Sequence, residues 1–198
     1  MKLLFATGNA GKLREAREIL GPGYEIVSPR QLGLNEEPEE TGLTFQENSL
    51  LKAEFYRDRL GLDCFSDDSG LEVDALGGAP GIYSARYAGG SGHDFDANIE
   101  KLLSELDKLG PDVPRSARFR CVVTLLLDGK PYFFEGKLEG KIASGRRGNG
   151  GFGYDPVFLP DVFPGKTLAE VGESAKNIVS HRGMALRSMA AWLESKGK

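Results

Sequence analysis

Hydrophobic positions at the N-terminus first form a continuous run and then recur at helical spacing. The run Leu3–Ala6 is typical of a short buried strand. Beyond Asn9, apolar side chains return at the spacing of one helical face, which predicts a helix over residues 10–20 with Asn9 as its N-cap. We therefore expect a strand, a short loop and a helix in succession.

A second helix is predicted to begin at Thr44 and Glu47, which form a capping box in which each side chain accepts a backbone N–H of the first turn. This helix should run towards Leu60. Beyond it, Cys64–Ser66 and Leu71–Asp74 are typical of two strand pieces separated by an acidic turn.

The second half of the chain predicts a helix, a hairpin and a terminal helix. Helical spacing relates Ile99, Leu102, Leu103, Leu106 and Leu109, and Gly110-Pro111 ends that helix. Residues 119–127 and 130–134 resemble strands joined by Asp128-Gly129, a strong signal for a tight hairpin turn. Apolar positions between Leu186 and Leu193 predict a C-terminal helix. Together these elements predict a mixed α/β fold with a long antiparallel ribbon.

Composition narrows the class of protein. The chain has 198 residues, 40% of them hydrophobic and 27% charged, which is typical of a globular protein, and we assign residues 1–198 to a single domain. The formal net charge of −4 argues against a broad nucleic-acid surface, which normally needs a basic stripe. No apolar run approaches the roughly 20 residues of a membrane helix, and the N-terminus lacks a secretory signal pattern, so we expect a cytoplasmic protein. Cys64 and Cys121 lack metal-ligand spacing and are expected to be buried free thiols.

The junction between the first predicted strand and helix could bind phosphate. It consists of Thr7, Gly8, Asn9, Ala10, Gly11 and Lys12. Backbone N–H groups at a helix N-terminus suit an anion, and Lys12 adds a positive charge one turn into the helix. The spacing is not that of a P-loop, and an ordinary strand–helix turn stays an alternative.

Acidic residues occur in two places that could supply oxygen ligands to a hard cation such as Mg²⁺. The first is the run before the capping-box helix, namely Glu36, Glu37, Glu39 and Glu40, for which a solvated loop is the alternative. The second is Asp67-Asp68. Adjacent residues of an extended strand point in opposite directions, so one aspartate should face a metal while the other supports the loop. A plain turn is the alternative there.

Cationic side chains could neutralise a phosphorylated ligand. Asn48 and Lys52 share a helical face, and Lys52 could point at a phosphate, although a solvated lysine is the commoner outcome. Lys176 and the later pair His181 and Arg182 concentrate positive charge before the last helix. The arginine favours recognition of an anion or a carbonyl group, whereas a lone histidine more often has a structural role.

A glycine-rich segment that follows the predicted ribbon in the sequence could bind a flat ligand. Gly150–Pro156 places Phe152, Tyr154 and Asp155 among glycines. An exposed phenylalanine between glycines offers a surface on which a base can stack. The alternative is an aromatic side chain that fixes the loop to the core.

These motifs, taken in order, resemble those of the inosine/xanthosine triphosphate pyrophosphatase family, whose members remove faulty nucleotides from the cell's pool. The matching stretches are Thr7–Lys12, Glu39–Phe45, Glu47-Asn48, Asp67–Leu71, Gly77–Tyr87, Gly151–Pro156 and Ser180–Gly183. They span nearly the whole chain. Ser66 and residues 21–35 depart from the family pattern without touching its chemistry.

The resemblance implies an α/β fold with an elongated mixed sheet, flanking helices and two lobes around a central active-site cleft, usually as a homodimer. It implies that the triphosphate is held by Thr7, Gly8, Asn9, Ala10, Gly11 and Lys12, with help from Lys52 and Ser69. Glu39 and Asp68 would bind Mg²⁺, and Asp68 would be the catalytic general base. The base would be bound by Phe152, Gly153, Tyr154, Asp155, Lys176, His181 and Arg182.

The activity implied is hydrolysis of ITP, dITP or XTP to the monophosphate and pyrophosphate. Arg182, or a backbone N–H near it, is expected to pair with the 6-oxo group that adenine lacks. Two other functions stay open: hydrolysis of another modified nucleotide, and a nucleotide sensor without hydrolysis. We expect a small-molecule nucleotide as the substrate, and we expect the protein to bind neither nucleic acid nor a membrane.

Overall fold

The computed structural model describes residues 1–90 and 94–197. Its helices are α1 (Ala10–Leu20), α2 (Phe45–Leu60), α3 (Phe95–Lys108), α4 (Glu173–Val179) and α5 (His181–Ser195). Its strands are β1 (Lys2–Phe5), β2 (Glu25–Val27), β3 (Cys64–Val73), β4 (Ser116–Leu127), β5 (Lys130–Ile142) and β6 (Phe158–Pro160). Across these described residues, no helix is long and apolar enough to cross a bilayer.

The strands of the described residues form one six-stranded mixed sheet in the order β2-β1-β3-β4-β5-β6. β1 is parallel to both β2 and β3, whereas β5 and β6 are antiparallel. β4 and β5 are joined by Asp128 and Gly129, both with positive φ, as a tight hairpin turn requires. The mixed α/β prediction and the hairpin are therefore confirmed.

The chain divides into two compact units, the first of which comprises Met1–Asp68, Cys121–Gly136 and His181–Lys198. Here α1 contacts α5, and the main apolar cluster includes Leu3, Phe5, Phe65, Val123, Leu186 and Met189. A second cluster includes Leu4, Ala6, Ala53, Tyr56 and Leu126. Successive β1 residues enter different clusters because strand side chains alternate between faces, so β1 is buried on both sides.

The second unit comprises Ser69–Arg120 and Lys137–Ser180. Its apolar cluster includes Leu71, Val73, Ile99, Leu102, Leu106, Leu138, Tyr154 and Phe158. The members from α3 are those whose spacing predicted this helix. The assignment of residues 1–198 to a single domain stays a prediction, as does the central cleft.

Two element predictions were wrong. Cys64–Val73 is one continuous strand, not two pieces around an acidic turn. Several of its polar groups have partners from other elements, which allows their burial: the Ser66 hydroxyl, for example, donates to the Ser49 carbonyl of α2. His181 and Arg182 are not before the last helix but form its first turn, since α5 begins at His181.

Candidate active site

The loop between β1 and α1 is ordered by its own polar side chains. Asn9 caps α1, and its Oδ1 accepts the N–H groups of Gly11 at 2.8 Å and Lys12 at 3.1 Å. The N–H of Asn9 donates in turn to the Thr7 hydroxyl at 3.1 Å. These N–H groups, which the sequence suggested as phosphate donors, are therefore already paired. The positive charge that the loop offers is the ammonium group of Lys12.

Asp67 lies at the centre of a buried cluster of charges in the first unit. It is only 1% exposed. Its Oδ1 accepts from Lys12 Nζ at 3.0 Å, and its Oδ2 accepts from Arg182 Nε at 2.9 Å. A second guanidinium nitrogen of Arg182 donates to Glu15 of α1. The cluster therefore links β3 to the first turns of α1 and α5.

The charge state of Asp67 is fixed by these partners. Burial alone would raise the pKa of its carboxyl group, but Lys12 and Arg182 outweigh burial and hold that pKa below the ordinary value. The pKa of Arg182 is raised further by Asp67 and Glu15, which overcome the opposing effect of its burial. Asp67 is thus a permanent carboxylate at neutral pH, and Arg182 is its permanent counter-ion.

Arg182, which the sequence predicted to recognise the base, is paired with carboxylates in this structure. Its side chain is 4% exposed and neutralises two carboxylates. Removing a buried arginine from such partners leaves charges uncompensated, which is costly. Its neighbour His181 is half-buried in the same turn of α5. A role of either residue in base binding stays a prediction.

Asp68 points to the opposite side of β3 and has a different environment. Its Oδ1 accepts from Lys52 Nζ at 3.4 Å, and the same ammonium group donates to Glu40 Oε1 at 2.7 Å. Burial raises the pKa of Asp68, an effect that Lys52 opposes and Glu40 reinforces. The two aspartates therefore have different partners, as expected for adjacent residues of a strand.

The residues around Asp68 fit a magnesium ion. Asp68 Oδ2 is buried and has no hydrogen-bond partner in the described chain, although a buried carboxylate oxygen normally has one. A hard cation would satisfy that oxygen. No cluster of at least three acidic, histidine or cysteine groups suited to a metal occurs in the described residues. Mg²⁺ commonly uses one or two carboxylates and completes its shell with water and substrate phosphates.

Glu40 is the acidic residue that Lys52 joins to Asp68, whereas the sequence suggested Glu39 as the metal ligand, which stays a prediction. Glu39 is exposed, whereas Glu40 is half-buried and is bridged to Asp68 by Lys52. The sequence showed the acidic run but gave no sign of which member turns inward. That choice depends on the path of the loop before α2, which local pattern does not specify.

The second unit carries the aromatic loop. Phe152 is 56% exposed, as expected of a stacking surface. Asp155 is buried, accepts the N–H of Phe152 at 2.9 Å and also binds the ammonium group of Lys176. Lys176 Nζ lies 4.7 Å from the centre of the Phe152 ring. Phe152, Asp155 and Lys176 are therefore brought together as predicted, with Lys176 on α4.

Tyr154 fixes this loop to the body of the second unit. It is buried, and its hydroxyl donates to the carbonyl of Ser84 at 2.8 Å. Tyr154 therefore fixes the loop to the core, whereas stacking of a base on Phe152 stays a prediction. Gly153, between them, has φ 61°, where a side chain would be strained. Ser69 follows Asp68 on β3 and is half-buried.

Sequence reasoning missed Glu15 and Ser84. Glu15 lies one turn after Lys12 on α1, a spacing that marks a shared helix face but does not reveal its pairing with Arg182. The Ser84 carbonyl accepts the Tyr154 hydroxyl, and the Ser84 hydroxyl accepts the N–H of Leu71 at 2.8 Å. The pattern of side chains along the sequence does not predict such hydrogen bonds to backbone groups.

Comparison with known proteins shows the family to which the chain belongs. The sequence model of the Ham1 family matches residues 3–192. A dITP/XTP pyrophosphatase of Porphyromonas gingivalis is 52% identical over 194 residues, covering 97% of each chain. The Ham1 protein of Staphylococcus aureus has a similar structure, with a TM-score of 0.87 and 41% identity over 99% of this chain and 100% of that one. A HAM1 protein from Coxiella burnetii has a TM-score of 0.89 and 36% identity over 98% of this chain and 99% of that one. The chain belongs to the Ham1 family.

Proposed function

We propose that this protein hydrolyses dITP, ITP and XTP to the nucleoside monophosphate and pyrophosphate. The observation that carries the proposal is the group formed by Asp68, Glu40 and Lys52, with Lys12 paired to Asp67 on the same strand. These residues combine ligands for a hard cation with ammonium groups for phosphates. The names of the curated relatives, dITP/XTP pyrophosphatase, support the same reaction.

The reaction assigned to this site is attack of water on the α-phosphorus. The new bond joins the water oxygen to that phosphorus, the bond to the bridging oxygen breaks, and pyrophosphate leaves with the bond's electrons. Asp68 accepts the proton of the attacking water. Lys12 and Lys52 hold the charged phosphates and stabilise the leaving group.

Mg²⁺ is the proposed cofactor, held by Asp68 and Glu40. A bound Mg²⁺ supplies neutralisation of phosphate charge and orientation of the phosphate oxygens. This assignment replaces Glu39 by Glu40, since Glu40 is the residue bridged to Asp68 through Lys52.

Recognition of the base is assigned to Phe152 and Lys176. A purine would stack on the exposed ring of Phe152. The Lys176 ammonium group, held beside that ring by Asp155, would donate to a 6-oxo group but oppose the 6-amino donor of adenine. Polar mismatches of this kind can discriminate by factors of up to roughly 10⁴–10⁵.

Two further proposals rest on the resemblance. We propose a homodimer, for which light scattering should give twice the 21.4 kDa mass of the chain. We also propose that the protein acts in the cytoplasm, where the nucleotide pool lies. A measured particle mass equal to that of one chain, at micromolar protein concentration, would refute the homodimer.

Product analysis tests the reaction. Incubation with ITP and Mg²⁺ should give IMP and pyrophosphate, resolved by ion-exchange chromatography, whereas cleavage at the γ-phosphate would give IDP and phosphate. Asp68→Asn should lower kcat by about 10²-fold or more, because a positioned proton acceptor contributes 10²–10⁴. Near-normal kcat in that variant would refute the role of Asp68 as base.

A further inference from the structure

The segment that carries Glu40 is attached to one face of α2. Tyr56, Lys52 and Asn48 lie four residues apart and so share that face. The Tyr56 hydroxyl donates to the carbonyl of Glu36 at 3.0 Å, and Lys52 binds the Glu40 carboxylate at 2.7 Å. Several side chains of this helix face therefore hold residues 36–42, which we call the acidic segment.

Asn48 provides the next attachment along the same face. Its Oδ1 accepts the N–H of Gly42 at 2.8 Å, two residues after Glu40. Gly42 leaves no space for a side chain: a β-carbon there would lie 2.7 Å from both Asn48 Oδ1 and Glu47 Cβ. The close approach of the Gly42 backbone to Asn48 therefore depends on glycine at one position and on an amide at the other.

Helix stability does not account for an asparagine at this position. Asn48 is 0% exposed, and its Nδ2 is buried without a hydrogen-bond partner in the described residues. A buried polar group without a partner is unfavourable, and asparagine is a weaker helix former than leucine. The interaction that Asn48 does make is with the Gly42 N–H. Its contribution should therefore be to the conformation of the segment, rather than to folding.

We infer that Asn48 is a positioning residue for the divalent cation, acting through Gly42 to hold Glu40 beside Asp68. The inference rests on the proposed function, because it concerns the metal site assigned there. Residues that orient metal ligands typically change metal affinity by about 10- to 100-fold when they are replaced. Asn48 itself would touch neither the cation nor the nucleotide.

The test measures binding of the metal alone. Free Mn²⁺, which substitutes for Mg²⁺ at oxygen sites, is titrated with protein and followed by its electron paramagnetic resonance signal. Asn48→Leu keeps similar volume but removes the acceptor, and should weaken Mn²⁺ binding about 10- to 100-fold. Gly42→Ala perturbs the same contact from the other side and should give a similar loss, which keeps the test available if one variant folds poorly.

Ser49→Ala is the matched control. Ser49 is the next residue of α2, is equally buried, and its hydroxyl pairs with Thr124 at 2.6 Å instead of with the acidic segment. This variant should lower thermal stability and leave Mn²⁺ affinity unchanged. In turnover assays, Asn48→Leu should need more Mg²⁺ for half-maximal rate yet approach the wild-type kcat at saturating Mg²⁺.

The possible outcomes distinguish failure of the role of Asn48 from failure of the proposed pyrophosphatase function. Wild-type affinity for Mn²⁺ in folded Asn48→Leu and Gly42→Ala would overturn the role of Asn48 while leaving the pyrophosphatase assignment intact. Equal weakening in Ser49→Ala would also overturn it, because any disturbance of α2 would then suffice. Absence of Mn²⁺ binding by the wild type would overturn the metal site itself.

Discussion

At the scale of single residues, Asp67 and Asp68 acquire different charge properties from their positions on one strand. Side chains of neighbouring strand residues point to opposite faces. Asp67 therefore meets Lys12 and Arg182, which keep it ionised. Asp68 meets Lys52, and its other oxygen has no hydrogen-bond partner among residues 1–90 and 94–197. The first carboxylate is suited to holding the architecture together and the second to chemistry.

Replacing Arg182 tests its assignment as a buried counter-ion. Arg182→Met should lower the free energy of unfolding by about 3–5 kcal/mol, because Asp67 and Glu15 would keep buried charges without their partner. Urea unfolding measures this loss. Adding Asp67→Asn to Arg182→Met should cost less than the sum of the two single changes. Normal stability combined with lost discrimination between ITP and ATP would instead support the base-reading role that the sequence predicted.

The two cysteines should be nearly inert in the native protein. Burial raises the pKa of Cys64 to about 12 and that of Cys121 above its ordinary value. At pH 8 the reactive thiolate of Cys64 should be roughly 10⁻⁴ of the total. Iodoacetamide, followed by mass spectrometry, should label both thiols quickly only after denaturation, and rapid native labelling would contradict the buried placement. Since the folded state retains the thiol proton, stability from this source is lost as pH rises from about 8.5 towards 12.

At the scale of elements, local signals predicted helices and turns better than the central strand. Asn9 and Thr44 cap their helices as expected, because a cap is a contact between residues close in sequence. The second half of the predicted capping box differs: Glu47 accepts the N–H of Leu43, not of Thr44. β3 was misjudged because Ser66 and Asp67 find their partners on α2 and α5, far along the chain.

Variants of Asn9 separate capping of α1 from binding of phosphate. Asn9→Ala removes the acceptor for two N–H groups and should lower the free energy of unfolding by about 1 kcal/mol. Asn9→Asp retains the cap but adds a negative charge at the loop, so it should keep stability and raise the KM for ITP. Chemical denaturation and initial rates measure the two effects. An unchanged KM in Asn9→Asp would place the triphosphate away from this loop.

At the scale of the whole molecule, the sequence predicted most residues of the candidate site but not which of them pair with one another. Residue types at motif positions identified Lys12, Lys52, Asp68 and the Phe152 loop. The path of the chain in three dimensions decides which acidic residue lies beside Asp68. It also decides whether Arg182 faces a ligand or a carboxylate. The match of the Ham1 family model to residues 3–192 covers most of both units.

The most direct test of the central claim is pyrophosphate release from dITP, XTP, dATP, dGTP and dCTP, with Mg²⁺ and with EDTA. We predict fast Mg²⁺-dependent release from dITP and XTP, and kcat/KM values at least about 10²-fold lower for the common nucleotides. EDTA should abolish the reaction. Equal turnover of dATP and dITP would contradict the proposed selectivity, and folded protein that releases no pyrophosphate from any of them would contradict the assignment as a pyrophosphatase.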